Sequence, residues 1–237
     1  MTGLFSALPQ LLGAAAVENG ASLQLSLGGG SSAVKLFLMM TALSFASAIL
    51  VSVTAFTRII IVLSFLRQAL GTPQLPPNQV VLALALALTG FVMAPTATRV
   101  YDDALSPYLA ETLPADQAAM RAAGPVREFL LRHTRAEDLR LFYDIARADP
   151  PTRPEDVPLA IATPAFMVSE LTLAFKMGLY LFIPLVLIDL LVAAVLMSLG
   201  MMMVPPTLVA LPLKVGVFLA ADGWHLVVGS LVRSFGS

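Results

Sequence analysis

Hydrophobic positions in this chain gather into runs longer than a soluble core helix needs, and the polar positions gather into one central block. Leu36 to Thr57 is uncharged for 22 residues, enough to cross a hydrocarbon core of roughly 30 Å as a helix. Val80 to Thr98 is uncharged for 19, with Pro95 placed to kink or stop it. Met177 to Val204 is of spanning length but carries Asp189, and Thr207 to Val232 carries Lys214 and Asp222 among four glycines and prolines. A charge at mid-depth costs roughly 2.5–3.5 kcal/mol in lipid, so these groups should face protein or water. The pattern predicts an all-α fold of two apolar helical hairpins, residues 36–98 and 171–237, around a polar helical insert, residues 99–170.

Within the insert the period changes to that of short amphipathic helices. Thr134-Arg135-Ala136-Glu137 has the spacing of a capping box, and Leu139, Phe142, Ile145 and Ala146 then recur at helical spacing until Pro150-Pro151. Upstream, Val126, Phe129, Leu130 and His133 form an apolar face opposite Arg127, Glu128, Arg132 and Arg135. These faces can pack on each other and on the apolar helices. Alternatively, Phe129 and Phe142 can face a lumen shared between subunits.

Composition sharpens this picture. The 237 residues are 58% hydrophobic and 12% charged, against about 45–50% and 25% in soluble domains. The 72 residues from Arg99 to Glu170 hold 20 of the 29 charges, 8 basic and 12 acidic. Net charge is −1 overall, so nothing attracts nucleic acid. The chain has no cysteine, which excludes disulfides, thiolate metal sites and thiol nucleophiles. Arg58 and Arg67 flank a proline-rich loop with no acid nearby, which places that loop in the cytoplasm and the insert outside. Residues 1–35 then read as a possible signal peptide or flexible N-terminus. Leu4 to Val17 supplies an apolar core without the usual basic start, and Gly28 to Ser32 supplies a short linker.

Candidate chemistry is sparse. His133 and His225 have no metal-ligand spacing, and neither a nucleophile elbow nor a His-Glu-x-x-His pair occurs. No enzyme, cofactor or metal site is expected. Charges in the apolar stretches are functional hypotheses by default: Lys176, Asp189 and Lys214 can form a proton or ion relay in a transporter, or serve as buried or intersubunit pairs in an assembly. Met201-Met202-Met203, between Gly200 and Val204-Pro205-Pro206, is the strongest anomaly. Such soft side chains can fill a turn in one chain or seal a pore in a ring of copies.

Several stretches together resemble the FliP (SctR-like) family, the P component of the flagellar type III export gate. They are Phe56-Thr57-Arg58 through Arg67-Gln68-Ala69-Leu70-Gly71-Thr72, Pro76-Pro77-Asn78-Gln79, Ser169-Glu170-Leu171, Gly200 through Pro206, Leu211-Pro212-Leu213-Lys214 and Asp222-Gly223-Trp224. The resemblance implies a non-enzymatic subunit, five copies of which join the Q and R gate proteins in a helical cone at the rod base. Other membrane export-apparatus components surround it in the inner membrane and basal body. The assembly lies largely on the periplasmic side, and unfolded flagellar export substrates pass along its axis. By the same resemblance Met201, Met202 and Met203 form a gasket, Phe129 and Phe142 narrow the lumen, and Glu170 pairs with a base on a neighbour. The alternative function is an ion- or proton-coupled transporter or channel built on the intramembrane charges.

Overall fold

The computed structural model describes residues 30–72 and 76–236, and the expected signal peptide lies outside them. Among the described residues every regular element is helical, as the periodicity predicts. The chain divides into two compact units, Met1–Ser47 and Ala48–Ser237. In the first unit the described residues belong to α1 (Gly30–Val53), so the Gly30-Ser31-Ser32 part of the expected linker is the opening turn of a helix. Along α1 the Thr41 and Ser44 hydroxyls donate to carbonyls one turn back, at 2.8 and 2.9 Å.

In the second unit the first apolar run does not continue unbroken to Thr57. α1 ends at Val53, and α2 (Phe56–Ala69) begins after a two-residue break at Thr54 and Ala55. Side chains hold the break: Thr54 Oγ1 accepts from Phe56 N at 3.3 Å, and Thr57 Oγ1 donates to Val51 O at 2.7 Å. A hydroxyl that can replace a ladder bond makes such a break inexpensive. On α2, Ile59, Val62, Leu63 and Leu66 are buried at the spacing of one helix face. Gly71, at φ +76°, closes the helix, its N–H donating to Gln68 O at 3.0 Å.

α3 (Asn78–Val100) starts after Pro77 and passes through Pro95 without stopping. A five-residue π turn, Tyr101–Leu105, joins it to the short α4 (Ser106–Leu109). Pro107 lacks an N–H and its ring crowds the carbonyl four residues back; a widened turn just before it relieves that clash. The continuous element, Asn78–Leu109, is 32 residues long.

The insert contains α5 (Ala115–His133) and α6 (Ala136–Ala146). The expected capping box does not form. Thr134 Oγ1 donates back to Leu130 O at 2.7 Å, and the Glu137 carboxylate turns to Arg135. Ile145 and Ala146 are exposed, and the buried side of α6 is Asp138 and Tyr143 with Leu139 and Phe142 half-buried. A 3-10 turn, Pro154–Asp156, precedes α7 (Leu159–Ser198).

At 40 residues α7 is the spine of the unit, about 60 Å long at helical rise. The boundary expected at residue 170 falls inside it, because Glu170 is neutralised by packing and leaves the helix unbroken. Around α7 a core of Ile59, Leu66, Leu130, Phe166, Val227 and Leu231 draws on α2, α5 and the C-terminal helix. Gly178 is required there, since a Cβ would lie 2.7 Å from the Phe65 ring. The last apolar run is two helices, α8 (Pro206–Ala220) and α9 (Gly223–Arg233), bent by 63°. Asp222 at φ +50° makes the corner, and a Cβ on Gly223 would meet the Phe218 ring at 2.2 Å.

Among the described residues, two helical elements, Asn78–Leu109 and Leu159–Ser198, are long and apolar enough to cross a membrane, and the bent α8–α9 pair passes as a third.

Candidate functional site: buried ion pairs and an exposed methionine loop

Arg58 is the first charge on α2 and is 2% exposed; Glu170 on α7 is fully buried. Arg58 Nε donates to Glu170 Oε2 at 2.9 Å while Nη2 donates to Oε1, so both carboxylate oxygens are engaged within the chain. Within the chain, the base that meets Glu170 is Arg58. Arg58 Nη1 also donates to Ser234 O and Oγ at 3.1 and 2.9 Å, and the guanidinium lies 3.8 Å over the Phe235 ring. One planar cation therefore ties α2, α7 and the tail after α9 together. A bidentate guanidinium–carboxylate pair suits this use because two parallel bonds fix orientation as well as distance.

Phe129 belongs to the same cluster. Its ring packs on His133, Phe166 and Phe235, at centroid distances of 4.8, 5.8 and 6.4 Å. Within the chain it is buried in the core cluster; Phe142 stays half-buried. His133 is pushed down to about 4, first by burial and then by the nearby Arg58 and Arg132 cations. It is therefore neutral at physiological pH.

Ser169, one residue before Glu170, makes a second connection. Its hydroxyl donates to Asp138 Oδ2 at 2.6 Å and accepts from Arg135 N at 2.9 Å. The start of α6 is thereby capped from α7, across a sequence gap that a local pattern could not reveal. Asp138 is a residue that sequence reasoning missed. Its signal was a carboxylate on the otherwise apolar side of the α6 wheel.

Two of the charges that interrupt the second hairpin pair with each other. Lys214 Nζ, on α8, donates to Asp189 Oδ2 on α7 at 2.5 Å and to Ala69 O at 3.0 Å. Lys214 is 5% exposed. Ala69 ends α2, and an ammonium suits a helix C-terminus whose carbonyls lack partners. Lys176 is different: it is exposed on α7 and makes no ion pair among the described residues.

The methionines form the turn between α7 and α8. Gly200, at φ +75°, ends α7 with its N–H on Met197 O at 3.0 Å and that of Met201 on Leu196 O at 2.9 Å. This is the double-bonded glycine termination of a helix. Met201, Met202 and Met203 follow it 45%, 82% and 96% exposed. The core does not use them. No three His, Asp or Glu side chains among the described residues converge as a metal site requires.

These features define an all-helical protein with membrane-compatible helices, an apolar exterior and internally neutralised charges. A model described as FliP family matches residues 39–231, and the chain belongs to that family. It is 49% identical over 205 residues to the flagellar biosynthetic protein FliP of Bacillus subtilis (strain 168), covering 86% of this chain and 93% of that one. The same-named protein of Pectobacterium carotovorum subsp. carotovorum is 51% identical over 87% of this chain and 81% of its own. That of Aquifex aeolicus (strain VF5) is 45% identical over 90% and 91%. The resemblance read from the motifs is borne out.

Proposed function

We propose that this protein is a structural, pore-forming subunit of the flagellar export gate, through which unfolded flagellar proteins cross the bacterial inner membrane. In this reading several copies, five by family resemblance, close into a ring with the Q and R gate proteins beneath the rod. The relatives' shared name as flagellar biosynthetic proteins supports the flagellar setting. The observation that carries the gate reading is the loop Met201–Met203. Three large apolar side chains stand exposed on a turn that the subunit's own packing ignores. Exposed apolar groups mark contacts or passages, and methionine closes irregular gaps while remaining deformable. Ring symmetry would bring these loops together on the axis as a compliant seal.

The transporter alternative needs a carboxylate free to bind and release an ion. Asp189 and Glu170 are each held by a cation from another helix, which favours a structural use. Replacing Met201, Met202 and Met203 together by Ala tests the gate. The complex is expected to assemble, since Ala fits the backbone, and to pass small ions when idle. A complex of the triple variant as tight as the parent would remove the loop from the barrier.

A further inference from the structure

Among the described residues from α2 onward, the charges outside the insert fall into partnerships with two left over. Arg58 meets Glu170 and Lys214 meets Asp189 inside the subunit, and Arg67 is held by Asn78. Arg233 sits in the last turn of α9, where a cation suits the helix end. Lys176 on α7 and Asp222 at the α8–α9 corner remain. Both are exposed, neither makes an ion pair, and the Asp222 carboxylate does not cap α9.

Lys176 stands in apolar surroundings. It borders a groove of ≈ 530 Å³ whose walls include Phe65, Leu171, Phe175 and Leu179, and it is the only charge between Leu171 and Ile188. Phe175 and Leu179 are more than half exposed. Exposed apolar surface of this kind marks a contact, and a cation on it needs an anion once the contact closes.

Two relations point to a second copy of this chain as the occupant. The groove and the Asp222 corner belong to different sides of the subunit. Phe65 lines the groove, whereas Trp224, two residues after Asp222, lines a separate pocket with Leu63, Arg67 and Leu70. At 3.6 residues per turn these three lie roughly 140–160° around α2 from Phe65. Complementary patches on opposite sides make a head-to-tail contact, the kind that can close a ring. The two charges also lie at similar depth. Ala210 packs on Val192 and Leu196, and Lys214 on Asp189, so α8 runs antiparallel to α7. From the Lys214–Asp189 pair, Asp222 is eight residues along α8 and Lys176 thirteen along α7 in the same direction. At helical rise the two differ in level by about 8 Å, which a lysine and an aspartate side chain span together. We propose that Lys176 of one copy pairs with Asp222 of a second copy. The proposal rests on the reading that several copies assemble, and adds which faces meet.

The purified complex tests it, made with this chain carrying Tyr180→Cys and Ala221→Cys; the parent has no cysteine. Both positions are exposed, flank the proposed pair and leave its charges in place. A short bismaleimide should join copies into a ladder of dimers and larger products on denaturing gels, and neither single variant should give it. Lys176→Asp should cut the yield of multi-copy complex about tenfold by setting like charges together. Adding Asp222→Asn, which the φ of +50° there accepts, should recover most of that yield. A multi-copy complex without the ladder, or a Lys176→Asp loss that Asp222→Asn does not relieve, would overturn the pair and leave the multi-copy reading standing. A parent complex holding a single copy by native mass spectrometry would overturn both. Crosslinks only to another protein of the complex would also overturn the pair, by giving the groove to that protein.

Discussion

At the scale of single residues, Arg58 decides more than any other side chain. It is charged, almost fully buried, and satisfied by a carboxylate, a carbonyl, a hydroxyl and an aromatic face. Removing the charge of its partner with Glu170→Gln leaves the guanidinium buried and uncompensated, a loss of roughly 3–5 kcal/mol. Urea unfolding of the purified variant should show that loss within the subunit itself, before any assembly; an unchanged midpoint would mean the pair is dispensable. His133 gives a pH signature. Its folded value of about 4 lies below the ordinary histidine value of 6.5, so the unfolded chain binds more protons between those limits. Its contribution is complete above about pH 6.5, falls as pH drops toward 4, and levels off below. Titration of the His133 ring signals by NMR should give a midpoint near 4; one near 6.5 would contradict its burial beside Arg58.

Elements depend on close contacts that only particular residues permit. α2 and α7 meet where Gly178 faces Phe65, whose ring also makes an edge contact with Phe175 at 5.3 Å. Gly178→Ala would force this ring aside, and overpacking of that kind costs typically ~1–3 kcal/mol, although Ala is the better helix former. Thermal unfolding should therefore show a lower midpoint for the variant. A higher one would mean that the ring rotates away freely. α6 shows how an element can be formed by a different cap from the one its sequence offers. Thr134-x-x-Glu137 is available, yet Ser169 and Asp138 hold the helix start. A cap from α7 fixes the helix to the core, which a cap within α6 would not.

For the whole molecule, the open question with the most consequence is sidedness. On the positive-inside tendency, we propose from Arg58, Arg67 and the acidic insert that the insert lies outside the cytoplasm. The absence of cysteine makes this directly measurable. Single cysteines at Asp116 or Arg153, both exposed, should react with an impermeant thiol reagent added to the periplasmic side of intact inner membrane. Labelling only after that membrane is opened would reverse the orientation. The exposed apolar surface of α7 and α8, including Leu190, Leu191, Val195 and Leu208, must be covered by lipid or by other subunits. The isolated chain should accordingly require detergent.

The sequence by itself determined the all-helical class, the apolar runs, the amphipathic helices of the insert and the family. These follow from period, composition and contiguous motifs, all local properties. It also marked Glu170, Asp189 and Lys214 as charges needing partners, since an unpaired charge in an apolar stretch is untenable. Tertiary structure alone decided who those partners are. Arg58 lies 112 positions from Glu170, and Lys214 lies 25 from Asp189 and 145 from the Ala69 carbonyl. Sequence spacing carries no information about pairs brought together by helix crossing. Tertiary structure likewise moved Phe129 into the core and left the three methionines outside it. Packing assigns a large apolar side chain to core or surface according to what stands opposite it, and the elements opposite these residues come from distant parts of the chain.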